Sequence, residues 1–369
     1  MFHVKHSALF ALAGLVLIGL LTGCGRASKP QGWSAPVDAG GGIVIVHDQR
    51  GSLTALQVTD AGSSALWTFP GSTDDRNYQG FYATPIVDRS GASPRLLVAS
   101  YSGHVVSVDL ATGAATPGWP KEVSVGGHIV ATPVLVGSTL YVANVHGDVK
   151  PVDITNGTVG QTVAKASDRI WGAPVANSGV LYVASLDGSV RAVGTDGTER
   201  WRTDAGGAVA GDLVLDGDTI YLGTLERKLI ALDRATGEVR WSFSGDNWFW
   251  AAPLVTSDTV YAPTTLGAVH ALDKATGQEK WQAKPGSGEM HAQPTLVGGA
   301  LVVADRDGWV YGLNPSDGTE QWRQQQTGQR FYANPLAQQS SVLYLSQSGM
   351  LVRVRPQDQG AISVVYQRG

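Results

Sequence analysis

Six histidines lie beyond residue 24: His47, His104, His128, His146, His270 and His291. None is spaced from another as HxH or HExxH, the patterns that aim two imidazoles at one metal, so the sequence carries no local metal motif. A ring-shaped fold could still gather them near an axis; otherwise they are ordinary turn or strand residues. The nearest cluster of hard oxygen donors is "DRDGW", Asp305 to Trp309. Two carboxylates so placed could begin a calcium site. The same spelling is also that of a β-turn, in which Asp305 and Asp307 accept backbone N–H bonds. No GxSxG elbow, P-loop or dinucleotide fingerprint is present. What remains is chemistry for binding. Aromatic and arginine side chains, the usual anchors of interfaces, are concentrated in "RNYQGFY" (76–82) and "GDNWFW" (245–250).

The chain has 369 residues, 47 of them glycine, with 43 % apolar and 16 % charged residues. That is a globular composition, rich in turns and so in short strands. A net charge of −4 offers no basic field, and nucleic acid is not an expected partner. The first residues read separately. Lys5 precedes the apolar run "SALFALAGLVLIGLL", which ends in "LTGC" at Cys24. A charged start, a short apolar core and small residues at the end make an export signal, and the run is short for a membrane span. The ending resembles the lipobox of bacterial lipoproteins, which implies cleavage before Cys24 and lipid attachment to its sulfur. The alternative is an ordinary signal followed by a chance cysteine. We therefore expect a signal peptide over 1–23, a lipid-anchored tether over 24–32 and a folded body over 33–369. Cys24 is the only cysteine. No disulfide can form within the chain, and stability must come from packing.

These residues need elements to hold them, and the elements repeat. Aligned on a proline that follows a small or polar residue, the units begin at Pro36, Pro85, Pro133, Pro174, Asp212, Pro253, Pro294 and Pro335, with Asp212 standing for proline. The spacings are 49, 48, 41, 38, 41, 41 and 41. Each unit continues with a β-branched and aromatic run such as "TLYVAN", a turn, a third run such as "KLIALD", and a fourth run. The fourth runs carry Trp67, Trp119, Trp201, Trp241, Trp281 and Trp322, expected to be structural. "ALDRATGEVRW" (231–241) returns as "ALDKATGQEKW" (271–281), with Gly237 supplying the positive φ of its turn. A phrase that recurs in several units is fold stitching rather than a catalytic signature. Period-two alternation at a repeat of about forty residues predicts an all-β fold, an eight-bladed β-propeller of four-stranded antiparallel blades. The run "AISVVYQ" (361–367) would complete blade eight in sequence.

The Asp-x-x-Thr-Gly-x-x-x-Trp phrase with its upstream small-residue-Pro strand resembles the pyrroloquinoline quinone (PQQ)-type propeller repeat, over residues 33–367. That superfamily includes quinoprotein dehydrogenases and non-catalytic lipoproteins of the BamB type, which serve outer-membrane protein assembly. Blades three and eight lack the tryptophan, and blade four loses a residue. The dehydrogenases use Ca²⁺, an aspartate base and often a disulfide between adjacent cysteines; the last is impossible here.

In such a propeller the start of each first strand and each turn between second and third strands share one face. Three residues before the alignment positions stand Trp33, Tyr82, Val130, Trp171, Val209, Trp250, His291 and Tyr332. Their neighbours include Phe81, His128, Arg169, Trp248, Phe249, Met290, Arg330 and Phe331. Turns on that face add Asp48, Arg50, His146, Asp187, Glu226, Arg227 and Arg306. The candidate partner surface is Trp33, Phe81, Tyr82, Arg169, Trp171, Trp248, Trp250, His291, Arg330 and Tyr332. The competing reading has these aromatics merely packing between blades. The expected protein is a non-catalytic, membrane-anchored, monomeric propeller that binds envelope protein partners and has no cofactor. With an outer membrane present, Gly25 after Cys24 favours sorting to it by resemblance to the bacterial rule; without one, the protein sits on the outer face of the plasma membrane. The alternatives are a PQQ- and Ca²⁺-dependent dehydrogenase or quinone sensor, and a glycan-binding surface protein.

Overall fold

A computed structural model describes residues 32–48, 51–71 and 78–367. Cys24, Arg50 and Arg76 lie outside them. The described chain is all strand and turn, apart from a single turn of 3₁₀-helix at Pro356–Asp358. Eight four-stranded antiparallel sheets follow one another as consecutive units over 37–69, 86–124, 134–165, 175–204, 214–244, 254–283, 295–325 and 336–366. They stand in a ring as blades one to eight of a β-propeller.

The cause is the spacing of apolar residues. Second and third strands such as Val180–Ala184 and Leu53–Thr59 are buried on both faces, so they read as continuous apolar runs. Fourth strands such as Val239–Ser244 are half exposed and alternate. One apolar cluster fills each of the eight gaps between neighbouring blades. The ring closes without exchanging a strand. Ala361–Tyr366 completes blade eight, and its edge meets blade one, where Ser63 Oγ donates to the Val365 carbonyl at 2.6 Å. Beside it the buried Arg353 donates from Nη1 to the Thr59 carbonyl at 2.9 Å.

The recurring phrase is a staple between blades. Asp233 Oδ1 accepts the N–H groups of Ala235 and Thr236, and the N–H of Gly237 returns to the Asp233 carbonyl. The tryptophan of the preceding blade then lies over the turn. Trp201 Nε1 donates to the Arg234 carbonyl at 3.0 Å, and a Cβ on Gly237, whose φ is +76°, would lie 2.5 Å from the Trp201 ring. Trp67 meets Leu110, Trp241 meets Lys274 and Trp281 meets Pro315 in the same way. Glycine is thus required twice, for its φ and for the ring above it.

Two expectations need correcting. Trp119 is not in a fourth strand. Two extra residues and Pro117 and Pro120 break that run, so Trp119 sits in a bend before the short strand Val123–Ser124, beneath the Arg95 guanidinium at 5.5 Å. Pro120 and Val123 cover Gly157 of blade three in its place. The repeat alignment also slips by one residue in blade five. Val214 pairs with Tyr221 as Val134 pairs with Tyr141. Leu213 therefore replaces the proline, and Asp212 occupies the place of Thr132.

Candidate functional site

The segment leading into each blade splits its work between alternate residues, counted back from the proline or Leu213. Five residues before it, a carbonyl accepts an N–H from the turn between second and third strands: Gly80 from Tyr101, His128 from Val145, Arg169 from Leu186, Trp248 from Thr265, Glu289 from Arg306 and Arg330 from Gln347. Four before it, an apolar residue is buried between blades. Phe81, Ile129, Ile170, Val209, Phe249, Met290 and Phe331 are all at most 1 % exposed. Phe81 is accordingly no part of the surface, and neither are Phe249, Met290 and Phe331; each fills the gap beneath its own blade. Val209 belongs to this set too, so the position three before in blade five is Ala210.

Three before it, the side chains turn to the mouth of the channel and meet, with Tyr82 itself covered by its neighbours at 8 % exposed. Trp33 packs edge-on against Tyr82 at 4.4 Å and stacks on Tyr332 at 5.9 Å, joining blades one, two and eight. Tyr332 touches His291 at 5.4 Å, His291 touches Trp250 at 5.4 Å, and Trp250 reaches past blade five to Trp171 at 6.1 Å. On the other flank Tyr82 contacts Tyr101 at 5.0 Å, and Tyr101 stacks on His128 at 4.3 Å with planes 2° apart. Eight rings thus form an arc from blade three round to blade four. Sequence reasoning missed Tyr101, which comes from a turn.

Charge edges the arc. The Arg169 guanidinium lies 5.1 Å over Trp171, with Asp168 at 3.2 Å. Glu289 Oε2 accepts from His291 Nε2 at 3.0 Å and Arg306 Nη1 at 2.7 Å, and the His291 bond holds its carboxyl below the usual value. Arg330 is exposed beside Tyr332, whose phenol is raised by burial. Trp248 is half-buried. Its loop is pinned by His270, which sits between Phe243 and Phe249 with Glu279 Oε1 at 2.6 Å from Nδ1 and Asp246 Oδ1 at 3.4 Å from Nε2. Of the turn residues, Asp187 accepts four bonds from Ser167 and Ser189.

Directly below, the residues one before the proline form a polar belt. Ala35 N–H donates to Thr84 Oγ1, Thr84 N–H to Thr132 Oγ1, Ala173 N–H to Asp212 Oδ1 and Gln293 N–H to Asn334 Oδ1. Asn334 Nδ2 also reaches Asp212 Oδ2 at 3.4 Å, which spans the channel from blade eight to blade five. Burial pushes the Asp212 carboxyl above its ordinary value, against the Ala173 and Asn334 bonds that favour its charge. Asp305, the candidate calcium donor, is 1 % exposed. Its Oδ1 accepts the N–H groups of Asp307 and Trp309, and its Oδ2 accepts the Tyr311 hydroxyl. It is a turn former. Among the described residues no three His, Cys, Asp or Glu side chains converge as metal ligands.

A cavity of about 410 Å³ lies between blades five and six at the opposite face. Its Arg240 and Lys274 are ion-paired with Asp233 and Asp216, so it offers no free charge.

The family model described as "Outer membrane protein assembly factor BamB" matches residues 27–163, 145–284 and 186–364. A protein of that name from Burkholderia pseudomallei (strain K96243) is 29 % identical over 126 residues, 34 % of this chain and 32 % of its own length. Another from Kangiella koreensis is 38 % identical over 73 residues, 20 % and 18 % of the two chains. In these alignments the chain spans under a third of either relative. The crystal structure of BamB from Moraxella catarrhalis superposes with a TM-score of 0.69 at 20 % identity, covering 88 % of this chain and 94 % of that one. The computationally designed Ika8 protein gives 0.68 at 14 %, covering 88 % and 96 %. At such identities the likeness is one of fold. The match of the family model along nearly the whole ring is more than that: this chain belongs to the family of the outer-membrane protein assembly factor BamB.

Proposed function

We propose that this protein is a non-catalytic, lipid-anchored propeller of the cell envelope, which holds a protein partner at its aromatic mouth during outer-membrane protein assembly. One observation carries the reading. Eight aromatic rings from seven sites around the axis touch in sequence at one face, although blades three and five fold with Val130 and Ala210 at the same place. Family membership supports the setting. The lipobox at Cys24 supports the anchor, and Gly25 supports sorting to an outer membrane.

The cofactor alternative fits the residues poorly. Calcium needs several free oxygen donors. Asp305 is consumed by its own turn, and Asp212, the one carboxylate of the belt, is engaged by Ala173 and Asn334. Titration of residues 25–369 with PQQ and Ca²⁺ should leave tryptophan fluorescence and melting temperature unchanged; a saturable rise in Tm would reinstate the dehydrogenase reading.

The direct test places a photo-crosslinking amino acid at Trp250 or Arg330 of the membrane-anchored protein. Adducts with an envelope protein are expected there and not at Ala235, on the opposite face. Adducts at Ala235 alone, or none at the mouth, would refute the assignment.

A further inference from the structure

We infer that the aromatic mouth is the face turned to the membrane, so that its occupant is a membrane-proximal segment of the partner protein. This rests on the lipid anchor at Cys24 proposed above. Gly32 is wedged against the backbone of Phe81, where a Cβ would collide with the carbonyl. Ser34 N–H donates to that same carbonyl at 3.2 Å. Trp33, between them, is itself a member of the arc, in contact with Tyr82 and Tyr332. The anchored end of the protein therefore leaves from within the mouth and not from the rim or the opposite face.

Length decides the rest. From Cys24 to Gly32 the chain has eight steps, which span at most about 28 Å when fully extended, at ~3.5 Å per residue. A flexible chain of that length averages only about 16 Å end to end. To bring the opposite face to the bilayer, the tether would first cross the four strands of a blade, about 15 Å at ~4.8 Å per strand spacing. It would then descend the seven-residue strand Leu53–Thr59, about 23 Å at ~3.3 Å per residue. The sum exceeds the reach. The mouth is the face the tether can hold against the membrane, and the space left there suits a strand or loop emerging from a membrane-embedded protein. The arc suits such an occupant: flat apolar faces for side chains, with the exposed Arg330 at its border for a carboxylate.

The experiment uses the full-length, lipid-modified protein in vesicles of phosphatidylethanolamine and phosphatidylglycerol carrying a headgroup energy-transfer acceptor. A fluorescent amino acid is placed at Arg330, at the mouth, or at Ala235, on the opposite face. Transfer should be severalfold greater from position 330. Equal transfer, or more from 235, with the protein still floating with the vesicles, would overturn the orientation while leaving the anchor intact. Failure of the protein to float, as expected for Cys24→Ser, would instead overturn the anchor and the inference together. Inserting twenty Gly/Ser residues after Ser28 should bring the two signals toward equality; an unchanged ratio would show that tether length does not set the orientation.

Discussion

Removing one staple should cost several kcal/mol and should relieve part of the penalty of a second, otherwise harmful, substitution. Trp241 is 8 % exposed; it packs 5.8 Å from Tyr221, and its Nε1 donates to the Lys274 carbonyl at 2.9 Å. Trp241→Ala should destabilise by about 3–5 kcal/mol, the range for a buried large aromatic. Trp241→Phe keeps most of the ring and loses the donor, for about 1 kcal/mol. Gly277, beneath the ring, has φ +71°, and a Cβ there would lie 2.6 Å from Trp241 Cδ2. Gly277→Ala in the parent carries both the left-handed backbone cost, about 1–2 kcal/mol, and the clash. In the Trp241→Ala background only the backbone cost remains. The double variant should therefore be more stable than the sum of the single losses predicts, by about 1–3 kcal/mol, the range for residues in contact. Urea unfolding of the four proteins, followed by circular dichroism, measures the cycle. Additive losses, or a Trp241→Ala cost below about 1 kcal/mol, would refute the claim that the repeated phrase exists to join blades.

Three further outcomes follow from the geometry. Asp212→Thr, which restores the residue of blades two and three, keeps the acceptor for Ala173 N–H. Because the folded-state pKa of Asp212 is raised, its favourable contribution is full below the unfolded value near 3.9 and is lost as pH rises through the folded one. The variant should thus gain stability relative to the parent as pH rises above about 4; a Tm difference that stays constant as pH rises would contradict it. Deleting Ala361–Tyr366 removes the outer strand of blade eight and the bond from Ser63, and should abolish a single cooperative transition, whereas unchanged calorimetry would show that the ring closes elsewhere. Trp171→Ala with Trp250→Ala should reduce crosslinking from position 330 at least about tenfold, as loss of interface anchors does, with far-ultraviolet circular dichroism unchanged; undiminished crosslinking would move the partner off the arc.

The eight units, their four runs and the in-sequence closure were legible in the sequence because each strand's apolar pattern is set by local alternation and each turn by glycine and aspartate. The slip in blade five was legible too, through a different ruler. The seven-residue interval from Thr132 to Thr139 recurs from Asp212 to Thr219, whereas proline is absent at Leu213. Trp119 carries the repeat's tryptophan without its strand, because Pro117 and Pro120 flank it and a proline ends a ladder. Phe81 beside Tyr82 could not be apportioned by composition, since neighbouring aromatics in an extended segment point to opposite sides and only the packed blade says which side is interior. Tyr101 joins the arc from a different turn, and the tie between Asn334 and Asp212 crosses the axis. Both arise from closing the ring, which no local window contains.

The same leading segment separates packing from recognition. Phe81, Ile129, Ile170, Val209, Phe249, Met290 and Phe331 are buried apolar residues in seven blades, and the small residues Ala83, Ala131, Gly172, Gly211, Ala251, Ala292 and Ala333 let the inner walls approach. Between these two fixed sets stands the mouth position, and it varies from Ala210 to Trp250. If packing demanded a ring there, blades three and five would not keep buried strands such as Leu140–Val142 and Ile220–Leu222 with Val130 and Ala210 at the mouth. They do, so the fold leaves this position free. Six of its eight members are nevertheless aromatic, and Trp171 spans the gap at blade five to reach Trp250. That a position the fold leaves free is filled in this way is the ground for the proposal that the arc is kept for a partner.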